Sequence, residues 1–259
     1  MMESSAHKRR VTAAFAAADG YHARAMVQRQ VADHLAARLR TLPLSPTPRI
    51  LELGCGSGFL SRHLCDDWPQ GQLLLTDIAQ AMVARNRSGL AGQANRCRFL
   101  VMDGERPAVA AGWDLITASM AVQWFDDLPA ALSRLAGLLN PGGWLACATL
   151  GRETFHEWRQ VCDRAGLACG TPLYPTADQL QAMWPESGDG TVVEAHLRAD
   201  YPEPLAFLRN LKALGAQRAV EGHRPVTAGQ MRRLLRTGSG DPAFFVTYHI
   251  LYGFFQRRS

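Results

Sequence analysis

Arg49-Ile50-Leu51-Glu52-Leu53-Gly54-Cys55-Gly56-Ser57-Gly58-Phe59-Leu60-Ser61 is the stretch whose reading decides the fold. Ile50, Leu51 and Leu53 form the apolar run of a buried strand, which Gly54, Gly56 and Gly58 interrupt before a helix begins at Phe59. Three glycines in five residues allow positive φ and a close approach of backbone to a ligand. The free N–H groups and positive dipole end of the following helix suit a carboxylate or a phosphate. Glu52 is unusual in a buried strand, and a carboxylate there is placed to accept a hydrogen bond from an ammonium group. A dinucleotide fingerprint would read G-x-G-x-x-G. Here the spacing is G-x-G-x-G, and Phe59 stands where the third glycine of that fingerprint belongs.

Outward from this turn the chain alternates strands and helices. Leu73 to Asp77 reads as a second buried strand ending in an acid, and Cys97 to Asp103 as a third. Asp114 to Ser119 is the fourth and Trp144 to Leu150 the fifth. Between them lie helices at 59–65, 79–86 and 128–139, the last closed by Asn140-Pro141-Gly142-Gly143. Such alternation argues for an α/β fold with a doubly wound, mostly parallel sheet. Val192 to Arg198 and Phe244 to Phe255 add two strands, making seven. Helices over 154–165, 176–184, 204–214 and 227–235 read as a cap over one end of the sheet. Upstream, 11–42 is a helical N-terminal cap, broken near Asp19-Gly20 and joined to the first strand through a proline-rich linker. The expectation is one domain over 1–259, with a ligand-binding core at 49–150 and a C-terminal part at 151–259.

Ligands of such sheets bind beyond the carboxyl ends of the strands. Gly54, Gly56 and Gly58 cradle one end of the ligand. Asp77, 23 residues after Gly54, is placed to accept two ribose hydroxyls, with Ile78 and Met82 against a purine face. Asp103, with Gly104 beside it, is placed to accept an adenine amino group. Any one acid reads equally as a solvated strand terminus; it is the three features in order that point to a nucleoside. At the end of the fourth strand, Gln123 can hydrogen-bond and Trp124 can wall off water, although an aromatic helix cap explains the segment as well.

The form E-L-G-C-G-S-G resembles motif I of the class I S-adenosylmethionine-dependent methyltransferases, whose Rossmann-like sheet carries the order of features above. Nearly the whole chain resembles one family among them, the malonyl-acyl-carrier-protein O-methyltransferases of biotin synthesis. The likeness runs through Phe15 with Tyr21, Gln28-Arg29-Gln30, Ala121-Val122-Gln123-Trp124 and Thr154-Phe155-His156-Glu157-Trp158. It continues through Leu208-Arg209-Asn210-Leu211-Lys212 with Gly215-Ala216, and Thr247-Tyr248-His249-Ile250-Leu251-Tyr252-Gly253. The resemblance implies S-adenosylmethionine as cofactor and methylation of the free carboxylate of a malonyl thioester, carried on acyl carrier protein or coenzyme A. Such a carboxylate has a pKa near 4 and is already ionised at neutral pH, so neither a general base nor a metal is expected. Tyr21 is expected to close the cofactor pocket, and Arg209, Lys212 and His249 to orient the substrate carboxylate. The alternatives are a methyltransferase for another small carboxylic acid, an RNA methyltransferase, or a cofactor-binding module without catalysis.

Charge and composition fit this reading. The chain of 259 residues has net charge +5, which favours an acidic partner such as nucleic acid or a carrier protein. No basic-aromatic stripe or appended RNA-binding motif accompanies that charge. Arg218, Arg224, Arg232, Arg233 and Arg236 are candidates for the docking surface, or plain solvated charge. Six scattered cysteines without a C-x-x-C pair, and no apolar run of membrane-spanning length, give the expectation of a cytoplasmic protein.

Overall fold

A computed structural model describes residues 8, 9, 11–13, 15, 25–93, 95–214, 226–238 and 244–258. Residues 8–15, where described, are helical. The elements then follow as α1 (Met26–Leu39), β1 (Arg49–Leu53), α2 (Phe59–Asp67), β2 (Gln72–Asp77), α3 (Gln80–Gly89), β3 (Cys97–Val101) and β4 (Trp113–Ser119). After them come α4 (Leu128–Leu138), β5 (Leu139–Leu150), α5 (His156–Arg164), α6 (Ala177–Gln181), β6 (Gly188–Tyr201), α7 (Pro204–Ala213), α8 (Ala228–Gly238) and β7 (Phe244–Arg257). Among the described residues, no helix is long and apolar enough to cross a membrane.

The seven strands form one sheet in the order β3-β2-β1-β4-β5-β7-β6. β1 pairs in parallel with β2 on one side and β4 on the other, and only β7 runs antiparallel to its neighbours β5 and β6. The chain winds outward from β1 through β2 to β3, then returns to the other side of β1 at β4. The strand order therefore reverses between β1 and β4, which opens a crevice at their carboxyl ends. The Gly54 turn and the 119–125 segment flank that crevice.

Alternate residues of the central strands feed two cores, one on each sheet face. Ile50, Leu75, Leu115, Ala146 and Ile250 pack with α1, α2, α5, α7 and α8. Leu51, Leu53, Ile116, Cys147, Leu251 and Phe255 pack with α4, and with Leu180 of α6 and Trp184 just beyond it. This corrects the expectation of a single cap formed by all the C-terminal helices. α6 lies on the opposite sheet face from α5, α7 and α8, because Trp184 stacks on Phe255 and not on the Phe155-Trp158-Phe207 cluster.

Local boundaries shift for identifiable reasons. β3 ends at Val101, so Asp103 lies two residues beyond the strand. α5 starts at His156 because Phe155 takes a left-handed conformation, φ 62°, ahead of it. α6 is capped by a reciprocal pair, the Thr176 hydroxyl accepting from Gln179 N–H while the Gln179 amide oxygen accepts from Thr176 N–H.

Candidate active site

The glycine turn is held from both sides. Gly54, Gly56 and Gly58 all have positive φ (65°, 51° and 86°). At Gly54 a Cβ would stand 2.4 Å from the Cβ of Ala121, so the missing side chain is what lets β1 and the 119–125 segment close on each other. At Gly58 a Cβ would meet the Asn86 amide oxygen at 2.6 Å. Gly58 thus serves the packing of the turn against α3 and lines none of the three cavities described below, unlike Gly54 and Gly56.

Asp77 braces the same turn. Its Oδ2 accepts from Gly56 N–H at 3.0 Å and its Oδ1 from Ala79 N–H at 2.8 Å. Burial pushes its pKa up, only partly offset by these backbone donors. Asp77 also lines the cavity beyond the turn, and a carboxylate has about four acceptor sites, more than the turn's donors use. Glu52 is fully buried beneath the turn and accepts from Ser61 Oγ at 2.5 Å; Ser61 in turn accepts from the Asn86 amide at 2.7 Å. Burial raises the Glu52 pKa to about 8, with the Ser61 hydroxyl acting in the opposite direction.

Three cavities meet above this arrangement. The largest, about 730 Å³ with its open mouth, is lined by Gly54, Gly56, Asp77, Ile78, Met82, Asp103, Gly104 and Trp124, together with Lys8, Val11 and Phe15 from the N-terminal segment. Seven of the nine expected cofactor-binding residues thus share one wall. A smaller cavity, about 320 Å³, extends from the turn over Glu52, Ser57 and Gln28. The third, about 480 Å³, lies across Trp124 and is lined by Gln28, Gln123, Phe155, Tyr174, Leu211, Leu214 and Tyr248.

Met120 lines all three cavities. It has a positive φ of 55°, rare for a residue with a long side chain. Its N–H donates to Ala148 O at 2.9 Å, and its carbonyl accepts from the Gln123 amide at 2.8 Å. These two bonds hold a strained residue at the junction, as strain at functional sites requires. Sequence reasoning missed Met120. The available signal was its place between a buried strand and the Gln123-Trp124 segment, where a chain must turn sharply.

The expected substrate residues fall elsewhere. Arg209 and Lys212 are exposed on α7, whose Leu211 faces the third cavity; residues two before and one after it on a helix point away from its face. His249 is buried on β7 but lines none of the three cavities. Its Nδ1 accepts from Glu153 N–H at 3.3 Å, which assigns the ring proton to Nε2, and Nε2 donates to Glu194 at 2.7 Å. A Cβ on Gly151 would lie 2.5 Å from that Nδ1, so the ring is packed flat against the β5 exit. Glu153, His196 and His249 bring ligand-type atoms within 4.8 Å of one another. With both nitrogens of His249 committed, that cluster reads as a hydrogen-bonded network tying β6, β7 and the β5 exit together. Tyr21, Arg218 and Arg224 lie outside the described residues.

The sheet order, the glycine turn and the strand-end acids define a methyltransferase of the Rossmann-like class. Residues 51–145 match the methyltransferase domain family. The solved YcgJ protein from Bacillus subtilis superposes with a TM-score of 0.64 at 14% identity, covering 88% of this chain and 99% of that one, a likeness of fold. Closer in sequence, the malonyl-[acyl-carrier protein] O-methyltransferase of Magnetococcus marinus is 50% identical over 96% of this chain and 92% of its own length. The biotin biosynthesis bifunctional protein BioCD of Bordetella avium is 43% identical over 92% of this chain, which spans 50% of that protein. The chain belongs to the malonyl-[acyl-carrier protein] O-methyltransferase family.

Proposed function

We propose that the protein transfers a methyl group from S-adenosylmethionine to the free carboxylate of a malonyl group carried on acyl carrier protein, the methyl ester being the starter for pimeloyl and biotin synthesis. The observation that carries this reading is the meeting of a nucleoside-sized cavity and a separate acceptor cavity at Met120 and Trp124.

The residues present fit the cofactor. Gly54 leaves a cradle that a Cβ would fill, Asp77 presents acceptors for ribose hydroxyls, and Met82 and Ile78 supply an apolar wall for a purine. A Cβ on Gly104 would stand 3.3 Å from the Leu53 Cβ and 3.4 Å from the Phe125 ring, so a side chain there would crowd the cavity wall. Glu52 lies under the smaller cavity, where the methionyl end and its ammonium belong. When bound, the cofactor supplies a methyl group activated by a positive sulfonium.

The chain's own task is positioning and exclusion of water. The acceptor carboxylate is ionised, so no proton moves: an O–C bond forms, a C–S bond breaks, and the two opposite charges cancel. Alignment of the partners supplies up to roughly 7–11 kcal/mol of barrier lowering in favourable systems. Among the described residues, the polar groups lining the acceptor cavity are neutral. Burial pushes the Tyr174 phenol up to about 12 and that of Tyr248 higher than ordinary tyrosine, which keeps both hydroxyls protonated. Gln123 hydrogen-bonds the Met120 carbonyl and adjoins the same cavity, and Trp124 separates it from the nucleoside. Neutral donors bind a carboxylate without trapping it, which suits a group that loses its charge in the reaction.

Arg209 and Lys212 on α7, with Arg232, Arg233 and Arg236 on the neighbouring α8, are all exposed and suit an acidic carrier at the protein surface. The deciding assay is transfer of labelled methyl to malonyl-carrier protein, with acetyl- and succinyl-carrier protein as controls. Product with malonyl alone supports the reading. Equal transfer to the succinyl form points to the broader carboxylic-acid alternative, and transfer to RNA alone sinks both.

A further inference from the structure

Two buried thiols stand in contact at the amino end of β3, the opposite end of that strand from the crevice. Cys65, near the end of α2, and Cys97, the first residue of β3, bring their sulfur atoms to 3.5 Å. Arg96 ties the two elements together beside them. Its guanidinium donates to Cys65 O at 2.7 Å and to Trp68 O at 2.9 Å. Cys97 is buried, yet it lines an open surface cleft of about 610 Å³ together with Arg87, Leu90, Ala91, Arg98 and Phe99. Arg87 and Arg98 are exposed there, and the Arg87 guanidinium lies over the Phe99 ring at 5.3 Å.

The two thiols are not equivalent. Cys65 donates to Cys97 and, with the nearby Arg96 guanidinium, holds the Cys97 thiol below the usual cysteine range against the effect of burial. The same hydrogen bond, together with burial, pushes Cys65 up. Burial alone dominates at Cys55 and Cys147, whose thiols are pushed up. Cys97 therefore combines three features of a peroxide-reactive cysteine: cationic neighbours, a place on the wall of an open cleft and a second thiol in contact. The methyl transfer proposed above uses neither sulfur.

We propose that Cys65 and Cys97 form a reversible modification site, at which a small hydroperoxide oxidises Cys97 and Cys65 resolves it to a disulfide between α2 and β3. The Cys97 thiolate attacks one peroxide oxygen and the O–O bond breaks. The leaving hydroxide or alkoxide takes up the proton that the thiol gave up, and Cys97 carries a sulfenic acid. Cys65 then attacks that sulfur: an S–S bond forms, the S–O bond breaks, and the Cys65 proton leaves with the hydroxyl as water. The two sulfurs together lose two electrons, which the peroxide gains. The sulfur atoms close by roughly 1.5 Å to reach a bond of about 2.05 Å. The resulting covalent ring spans residues 65–97 and carries Asp77, Ile78 and Met82 of the nucleoside cavity. It stabilises the fold chiefly by restricting the unfolded chain. In a reducing compartment the dithiol is the resting form, and the disulfide forms under peroxide load.

The test is treatment of the full wild-type chain with hydrogen peroxide, followed by peptide mapping without reduction and by thermal unfolding. The expected product is a linked peptide joining Cys65 to Cys97, released by dithiothreitol, with Tm higher by about 5–10 °C in the linked form. Dimedone, which traps sulfenic acids, should label Cys97 in Cys65→Ser, and oxidation of that variant should leave its Tm unchanged. Cys65→Ala serves in its place if the serine does not fold, and the wild-type map needs no variant. Cys65 and Cys97 both remaining reduced while the partly exposed Cys169 is oxidised overturns the proposal. So does a Cys65–Cys97 bond that lowers Tm or leaves it unchanged, since such a bond forms across a disrupted fold. Absence of the dimedone label on Cys97 overturns its role as the attacking thiol.

Discussion

The two ends of the active site are built in different ways. The nucleoside end is made almost entirely from consecutive strand ends: the turn after β1, Asp77 at the end of β2, the Asp103-Gly104 step after β3, and 119–125 after β4. The acceptor end draws one to three residues from each of seven places: 15, 28, 120–124, 150–155, 174, 211–214 and 248. The first end presents the backbone of the glycine turn and carboxylates at or just past strand ends. Packed side chains from the helices and β7 shape the second. A parallel sheet delivers its carboxyl ends to one edge by topology, so the first end is obtained from the fold itself. The second depends on how the C-terminal helices happen to pack.

If that contrast holds, damage to the turn costs binding and damage to the acceptor wall costs turnover. The largest effect is expected at Gly54. Gly54→Val forces a β-branched residue to φ 65° and pushes its Cβ into Ala121. Affinity for S-adenosylhomocysteine, measured by calorimetry, should fall at least about 100-fold, equivalent to ~2.7 kcal/mol. A Gly54→Val protein with near wild-type affinity breaks the claim that the turn is the binding element.

Glu52 comes next and is read through stability. Its folded pKa, about 8, lies above the unfolded value near 4.3. Between those values the folded state holds a proton that the unfolded chain has lost. The associated stability is full on the acid side, declines as pH rises toward 8 and levels off above it. Urea unfolding at pH 5.5 and 8.5 should show the cofactor-free wild type weaker at the higher pH, by a few kcal/mol at about 1.4 kcal/mol per pKa unit. Glu52→Gln should lose most of that difference. A wild type equally stable at both values contradicts the buried, proton-bearing carboxyl.

The same contrast explains what was legible in the sequence. Gly54, Asp77 and Asp103 stand at fixed steps along alternating strands, so periodicity and spacing located them, and the structure brings them to one cavity. Residues of the acceptor wall carry no such spacing. Arg209 and Lys212 carry the charge that suits a carboxylate, but on α7 it is Leu211 that turns inward, with Leu214 at the helix end, and charge alone does not say which helical face is buried. His249 sits in an alternating strand next to Tyr248, and period-two alternation sends the two side chains to opposite sheet faces. Tyr248 is the one that reaches the cavity. Met120 escapes for another reason: its position after the fourth strand signals a sharp turn, but without a glycine nothing marks which residue takes the positive φ.

Two substitutions sharpen the comparison at intermediate size. Asp77→Asn keeps the shape but removes the charge that accepts Gly56 N–H and the hydroxyl donors. A loss of ~1.5–3 kcal/mol, roughly 10- to 100-fold in S-adenosylhomocysteine affinity, is the expected outcome. Gln123→Ala removes the donor that pins the Met120 carbonyl. Here kcat/KM for the malonyl substrate should fall about tenfold, a cost near 1.4 kcal/mol. Cofactor affinity should stay within a factor of two or so, since Gln123 lines the acceptor cavity and not the nucleoside cavity. Parallel losses in both quantities blur the division between the two ends.

The smallest effect concerns the surface beyond the acceptor end. Arg232 and Arg233 are exposed, so each contributes at most a fraction of a kcal/mol through screened attraction to an acidic carrier. The pair Arg232→Ala with Arg233→Ala should raise KM for malonyl-carrier protein only about threefold at low salt, and the difference should vanish near 0.5 M salt as screening removes it. Malonyl-pantetheine presents the same carboxylate without the carrier's acidic surface, so its KM should not respond to the pair. A response of equal size with both substrates places these arginines in the acceptor cavity's own energetics and not in docking. That result moves the boundary between the two ends outward, from Leu211 and Leu214 to the surface of α8.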